Sequence, residues 1–223
     1  RRREVNMLSG SIVKGILALS LPLMIMNVVQ SLFNIVDMTV LKTYDTNNGI
    51  AVGAVGVCGI LITLITGLVI GISSGANVVI AKNIGRRDKE NVEKAVGTAM
   101  IFSVVSGLAL ALIGIGGAEI FLEWNNCPEL LLPQATLYFR MYFAGVPILM
   151  IYNFCASVLR ASGDSRRPMI FLTLGGAVKV AVNFLLVSQF GLGVKGVAIS
   201  TILSWSVSAF LGMWTLLKTR SVV

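Results

Sequence analysis

The sequence predicts an all-α, polytopic membrane protein with six transmembrane helices. Three observations carry that prediction: a scarcity of charge, a series of long uncharged runs, and a one-sided distribution of the cations. Of 223 residues, 56% are hydrophobic and 13% charged, and the mean hydropathy is +0.87. A soluble domain carries about 25% charged residues. Half that supply cannot wet a globule of this size, so lipid is the expected solvent. The same hydrophobicity excludes disorder, and three scattered cysteines exclude a disulfide scaffold.

The spans follow from the gaps between charges. Uncharged runs extend from Gly15 to Val36, Thr46 to Ala81, Ala95 to Ala118, Met141 to Leu159 and Gly196 to Leu217, and a sixth, Pro168 to Val194, is broken only by Lys179. A spanning helix needs about 20 apolar residues. Hydrocarbon leaves no partner for an open backbone, so each span satisfies its own hydrogen bonds as a helix. The predicted helices cover about residues 12–42, 50–81, 93–123, 130–160, 168–190 and 194–217, in one unit over residues 1–223. Turns are expected at Tyr44–Gly49, Trp124–Pro128 and Ala161–Pro168, with a charged link over Asn83–Glu93.

Orientation follows from the loops. With six spans, both termini and the links after spans 2 and 4 share a side. That side holds 14 of the 18 Lys and Arg residues, including Arg86, Arg87, Lys89, Arg166 and Arg167, whereas the other holds Lys42, Arg140 and Lys195. Such an excess marks the cytoplasmic face. Both ends of the segment are therefore expected in the cytoplasm, in a cell membrane, and the net charge of +8 is topology rather than a nucleic-acid surface. Arg1–Leu8 lacks the apolar core of a signal peptide. Because the chain opens on Arg1, the natural start is expected upstream.

Polar residues inside the spans mark candidate chemistry. In span 1, Asn27, Gln30, Asn34 and Asp37 are spaced three, four and three, which places them on one helical face. Asp37 is the one acid clearly within a run. An ionisable group there costs about 2.5–3.5 kcal/mol on insertion scales and marks an ion or substrate path by default; the plainer alternative is a helix cap among the headgroups. The shared amide face favours the functional reading. Span 5 offers Lys179 and Asn183, four residues apart, with Lys179 able either to meet Asp37 or to snorkel. In span 2, Thr63, Thr66, Ser73, Ser74 and Asn77 are expected mostly to bond their own helix's carbonyls. Gly196, Ser200, Ser204, Ser208 and Gly212 form a small-residue packing ridge in span 6. Gly191–Gly196 matches G-x-G-x-x-G but lacks βαβ context. The chain has no histidine, so a zinc site or His-dependent triad is not expected, and no enzyme is read here.

Several blocks resemble a known family. Phe33–Asp37 (F-N-I-V-D), Gly71–Gly85 with the following Arg-Arg-Asp, Ser157–Met169 and Val178–Thr201 are similar, in order, to segments of multidrug and toxic compound extrusion (MATE) transporters. The resemblance implies one amino-terminal lobe of a twelve-helix, cation-coupled antiporter that exports drugs or other small organic compounds, often cationic, with the carboxy-terminal lobe absent. It implies a coupling site for Na+ or H+ at Asp37, with Asn183 and Thr201 as matching family positions. We expect Asn34 and Asn183 as neutral ligands, Asn27, Gln30 and Lys179 in the substrate cavity, and no metal or cofactor beyond the coupling ion. Val187 stands where some members carry a second aspartate, and Leu41-Lys42-Thr43 replaces a glycine-containing stretch. Expected partners are a small-molecule substrate, the bilayer, and a second six-helix lobe or a homodimer mate. Two alternatives are a lipid-linked oligosaccharide flippase of the same superfamily, which would call for several cavity cations, and a non-transporting membrane assembly subunit.

Overall fold

The computed structural model describes residues 12–44 and 49–219. Residues 45–48 of the predicted Tyr44–Gly49 turn, and the basic residues Arg1–Arg3 and Arg220, lie outside the described residues. The described elements are all helical: α1 (Ile12–Tyr44), α2 (Ile50–Gly85), α3 (Lys89–Gly116), α4 (Ala118–Trp124), α5 (Leu132–Ala161), α6 (Arg166–Ser188) and α7 (Gly193–Thr219). Six of them, all but α4, are long and apolar enough to cross a membrane.

Two predicted boundaries change. The third span was expected to run unbroken over residues 93–123. Instead it stops at Gly116, and a separate short α4 begins at Ala118. The cause is the Gly116-Gly117 pair, a sequence with poor helix propensity. Gly117 closes α3 through its N–H to the Ile113 carbonyl at 2.8 Å, and a β-carbon on it would press on the Phe121 ring. The predicted charged link over Asn83–Glu93 shrinks to Arg86, Arg87 and Asp88. Helical hydrogen bonding continues past the hydrocarbon into the polar zone, and Arg87 takes a positive φ of 57° to reverse the chain. Asp88 then caps α3, its carboxylate accepting from the Asn91 N–H at 3.1 Å. The hydrogen bond from the Asn91 side chain holds the Asp88 carboxyl below its usual range.

The core is α5. Eighteen of its 30 residues are buried, led by Phe139, Phe143, Met150 and Phe154. Helices α2, α3 and α7 pack around it, α6 packs on α7, and α1 rests chiefly on α6. Apolar side chains point outward from the surrounding helices, among them Leu64, Leu112 and Ile101. This is the arrangement expected where lipid replaces water and packing, not hydrophobicity, selects the interior. Trp205 is buried edge-on to Tyr142, with ring centroids 4.9 Å apart, whereas Trp124 and Trp214 are exposed.

Close approach of backbones sets the α1–α6–α7 geometry. The span 6 ridge is buried throughout: Gly196 faces Val187, Gly212 faces Cys155, and the Ser208 hydroxyl lies 3.0 Å from the Phe171 carbonyl of α6. Opposite it, Gly175 sits so close that a β-carbon would lie 2.7 Å from the Ser204 carbonyl oxygen. On the neighbouring face of α6, the Phe33 ring of α1 occupies the space a β-carbon on Gly176 would need. Two adjacent glycines thus let α6 touch α7 and α1 at the same level. Gly176→Ala is expected to destabilise the protein by about 1–3 kcal/mol through overpacking, and adding Phe33→Leu should recover part of the loss. Thermal denaturation in detergent with and without the second change checks this.

Candidate functional site

One turn beyond Phe33 on α1, and one turn beyond Gly176 on α6, the close packing encloses Asp37. Its carboxylate lies about 10 Å inside the end of α1 at 1.5 Å per residue and is 4% exposed. Both oxygens have partners. The Asn183 side-chain N–H donates to Oδ1 at 2.8 Å, and the Lys179 ammonium forms an ion pair with Oδ2. Lys179 and Asn183 are four residues apart and share a face of α6, so one helix presents both groups to one carboxylate. Lys179, read from sequence as either a partner of Asp37 or a snorkelling residue of the cavity, is the partner, and its side chain is only 12% exposed.

Burying either charge alone in hydrocarbon is costly, and a buried pair is tolerated only when its remaining hydrogen-bonding capacity is met. Asp37 meets that condition through Asn183. Asn183 does not: it is fully buried, and its amide oxygen Oδ1 has no hydrogen-bond donor among the described residues. The site therefore contains one uncommitted oxygen on the residue that already bonds the carboxylate. On α5, Tyr138 is buried within electrostatic range of Asp37. Reading the sequence missed this tyrosine, although Tyr138 and Tyr142 were visible as a polar aromatic pair four residues apart within a span. Nothing in that spacing says which of the two lies within electrostatic range of Asp37.

Among the described residues, none of the other predicted site residues hydrogen-bonds Asp37. Thr201 on α7 is buried, with its hydroxyl donating to the Val197 carbonyl of its own helix at 2.8 Å. Val187, at the position of the second aspartate expected from the family resemblance, is buried apolar core. Asn34, expected as a ligand beside Asp37, is exposed, as is Asn27, while Gln30 is half-buried. The four residues do share a face, but it is the rim of the α1–α6 contact, and only Asp37 reaches inside. In span 2, Thr63 and Ser73 bond carbonyls of their own helix, whereas Thr66 meets the Tyr142 hydroxyl at 3.1 Å.

The chain is similar to proteins of one known family. The family described as MatE matches residues 22–185, a stretch containing Asp37, Lys179 and Asn183. The chain belongs to the MATE family. Among the relatives of this MATE chain is a probable multidrug resistance protein of Bacillus subtilis, YpnP, 25% identical over 96% of the chain and 47% of the relative. Another, YoeA from the same organism and described in the same way, is 30% identical over 89% of the chain and 43% of the relative. A solved structure of a MOP superfamily transporter from Pyrococcus furiosus superposes with a TM-score of 0.87 at 28% identity, covering 97% of the chain and 48% of the other. The MATE chain thus spans about half the length of the relatives it matches.

The pair makes a stability prediction. Asp37→Asn leaves the Lys179 charge without its partner and is expected to destabilise the protein. The cost should be less than the roughly 3–5 kcal/mol of a trapped buried charge, because the flexible stem can carry it to the polar rim. Asp37→Asn with Lys179→Met should be close to neutral. Thermal unfolding of the two single variants and the double variant checks it: the double variant must be more stable than either single one.

Proposed function

We propose that the chain is one six-span lobe of a cation-coupled antiporter that exports drugs or other small organic compounds, often cationic, across the cell membrane. The observation that carries this reading is a carboxylate buried at the junction of α1 and α6, immediately beside an exposed amide rim. Amides at membrane depth are poorly satisfied by lipid, so the rim of Asn27, Gln30 and Asn34 belongs against water or another protein surface. We assign it to a central cavity closed by a second six-span lobe, carried by the same protein or by a second copy. The length of the relatives supports this assignment, as do the multidrug resistance names that YpnP and YoeA carry. The excess of cations beside the links after spans 2 and 4 supports a cytoplasmic location for both ends.

In this reading the coupling ion is Na+ or H+, and Asp37 is its binding group. A cation arriving at Asp37 changes the charge that holds α1 against α6, so it biases two packings of the lobe. A charge moving down a 100 mV potential supplies about 2.3 kcal/mol, enough to bias an equilibrium nearly fiftyfold. Asn183 contributes a neutral oxygen, and Thr201 lies on the adjoining helix as a further candidate ligand. The flippase alternative calls for several cavity cations, and the candidate found in the sequence, Lys179, is neutralised by Asp37.

The test is transport. In proteoliposomes carrying the native assembly, with ethidium as the fluorescent organic cation and an imposed sodium or proton gradient, Asp37→Asn should still bind dye. Its gradient-driven export should fall at least tenfold. Export at the wild-type rate would contradict the proposal.

A further inference from the structure

We propose that Lys179 is the resident cation of the coupling site: it holds Asp37 in the ion-free state, and the coupling ion binds by displacing it. The proposal rests on the assignment of Asp37 as the coupling group and adds a mechanism to it, exchange of one cation for another.

Three observations point here. The Lys179 ammonium is paired with Asp37 in a nearly buried contact, so the carboxylate is not a bare anion waiting for an ion. Asn183, on the same face of α6, donates to Asp37 through its N–H while its buried oxygen has no hydrogen-bond partner among the described residues. The Lys179 ammonium, held on the far oxygen of Asp37, does not donate to the Asn183 oxygen in this arrangement, whereas a small cation at the carboxylate could draw on it as a neutral ligand. Finally, the displaced ammonium has somewhere to go. Lys179 carries a flexible four-carbon stem, and the half-buried Gln30 and exposed Asn34 lie on the same side of α1 as Asp37. The stem can stay against apolar surface while the charge moves to the polar rim.

Cation exchange has a different consequence from simple addition. The site holds one negative charge and one tethered positive charge, with the buried Tyr138 of α5 within electrostatic range of the carboxylate. An incoming ion must compete with a cation present at very high local concentration, and its apparent affinity falls by the fraction of time the internal pair is open. Lys179 therefore weakens ion binding and keeps the ion-free lobe neutral inside. That neutrality lets an unloaded carrier repack without dragging a lone charge through hydrocarbon, where each would be costly. In this scheme Lys179 is a positioning residue that acts through Asp37.

The experiment uses the chain purified in its native assembly in lipid nanodiscs. Binding is followed by thermal stability and intrinsic fluorescence, in a sodium titration at fixed pH and a proton titration without sodium. Lys179→Met should tighten binding of sodium or of protons at least tenfold, and make stability steeply dependent on that cation. Lys179→Arg should keep the wild-type weakness. Adding Asp37→Asn to Lys179→Met should abolish the response in a protein that remains folded. Unchanged or weaker cation binding in folded Lys179→Met would overturn the proposal. A second readout needs no variant: amine-reactive labelling of Lys179, followed by peptide mass spectrometry, should rise as the wild type is saturated with the cation. Labelling that stays constant on saturation would overturn it equally. Loss of dye export in Asp37→Asn together with no tightening in Lys179→Met would sink cation exchange alone and leave the antiporter assignment standing. Tightening in Lys179→Met with normal export in Asp37→Asn would show cation exchange at a site that does not drive export, and would overturn the coupling role of Asp37 and Lys179 together with the antiporter assignment.

Discussion

A carboxylate cannot sit alone in a medium that neither hydrates nor screens it, and that constraint organises the lobe. Asp37 survives inside the bundle because α6 brings it a cation and an amide from positions four residues apart. The partners can arrive only if α6 lies close against α1, which requires Gly176 to leave room for Phe33. Because α6 must also stay in register with the rest of the bundle, Gly175 meets the serine ridge of α7 at the same level. One electrostatic requirement thus propagates through two adjacent glycines into the placement of three helices.

The remainder of the lobe is a scaffold for that junction. Helix α5 is the central post, rich in large aromatic side chains, and it contributes Tyr138 near the charged cluster while anchoring α7 through Tyr142 and Trp205. Helix α1 has much less support. Leu41 and Asp37 are buried, but Ile25, Val28, Leu32 and Ile35 lie at the surface. A helix attached mainly to one neighbour, and through a contact containing a switchable charge, is the element of the fold most readily moved by a change in ionic state.

Much of this was legible in the sequence because the relevant physics is local and one-dimensional. Charges are excluded from hydrocarbon, so gaps between them gave six spans, and Asp37 stood out as an exception to the same rule. The amide spacing on span 1 correctly grouped Asn27, Gln30, Asn34 and Asp37 on one face. It could not say where the edge of the α1–α6 contact would cut that face, which is why Asn34 is exposed instead of lying beside the carboxylate. The choice between pairing and snorkelling for Lys179 depends on tertiary approach, and that approach is set by glycines whose role is to be small. The break at Gly116-Gly117 was hidden within an uncharged run, since charge gaps mark the membrane and not the continuity of a helix. Tyr138 was missed because an aromatic in a span is usually core, as this one is, and only the packing of α5 brings it within electrostatic range of Asp37.

The central claim is that an ion at Asp37 releases the Lys179 tie between α1 and α6. Hydrogen–deuterium exchange measured by mass spectrometry on the native assembly, with and without saturating coupling cation, tests it most directly. The account predicts faster exchange with the cation across the part of α1 that carries Phe33 and Asp37 and across the facing turns of α6, with α5 unchanged. Identical exchange in α1 and α6 under both conditions would contradict it.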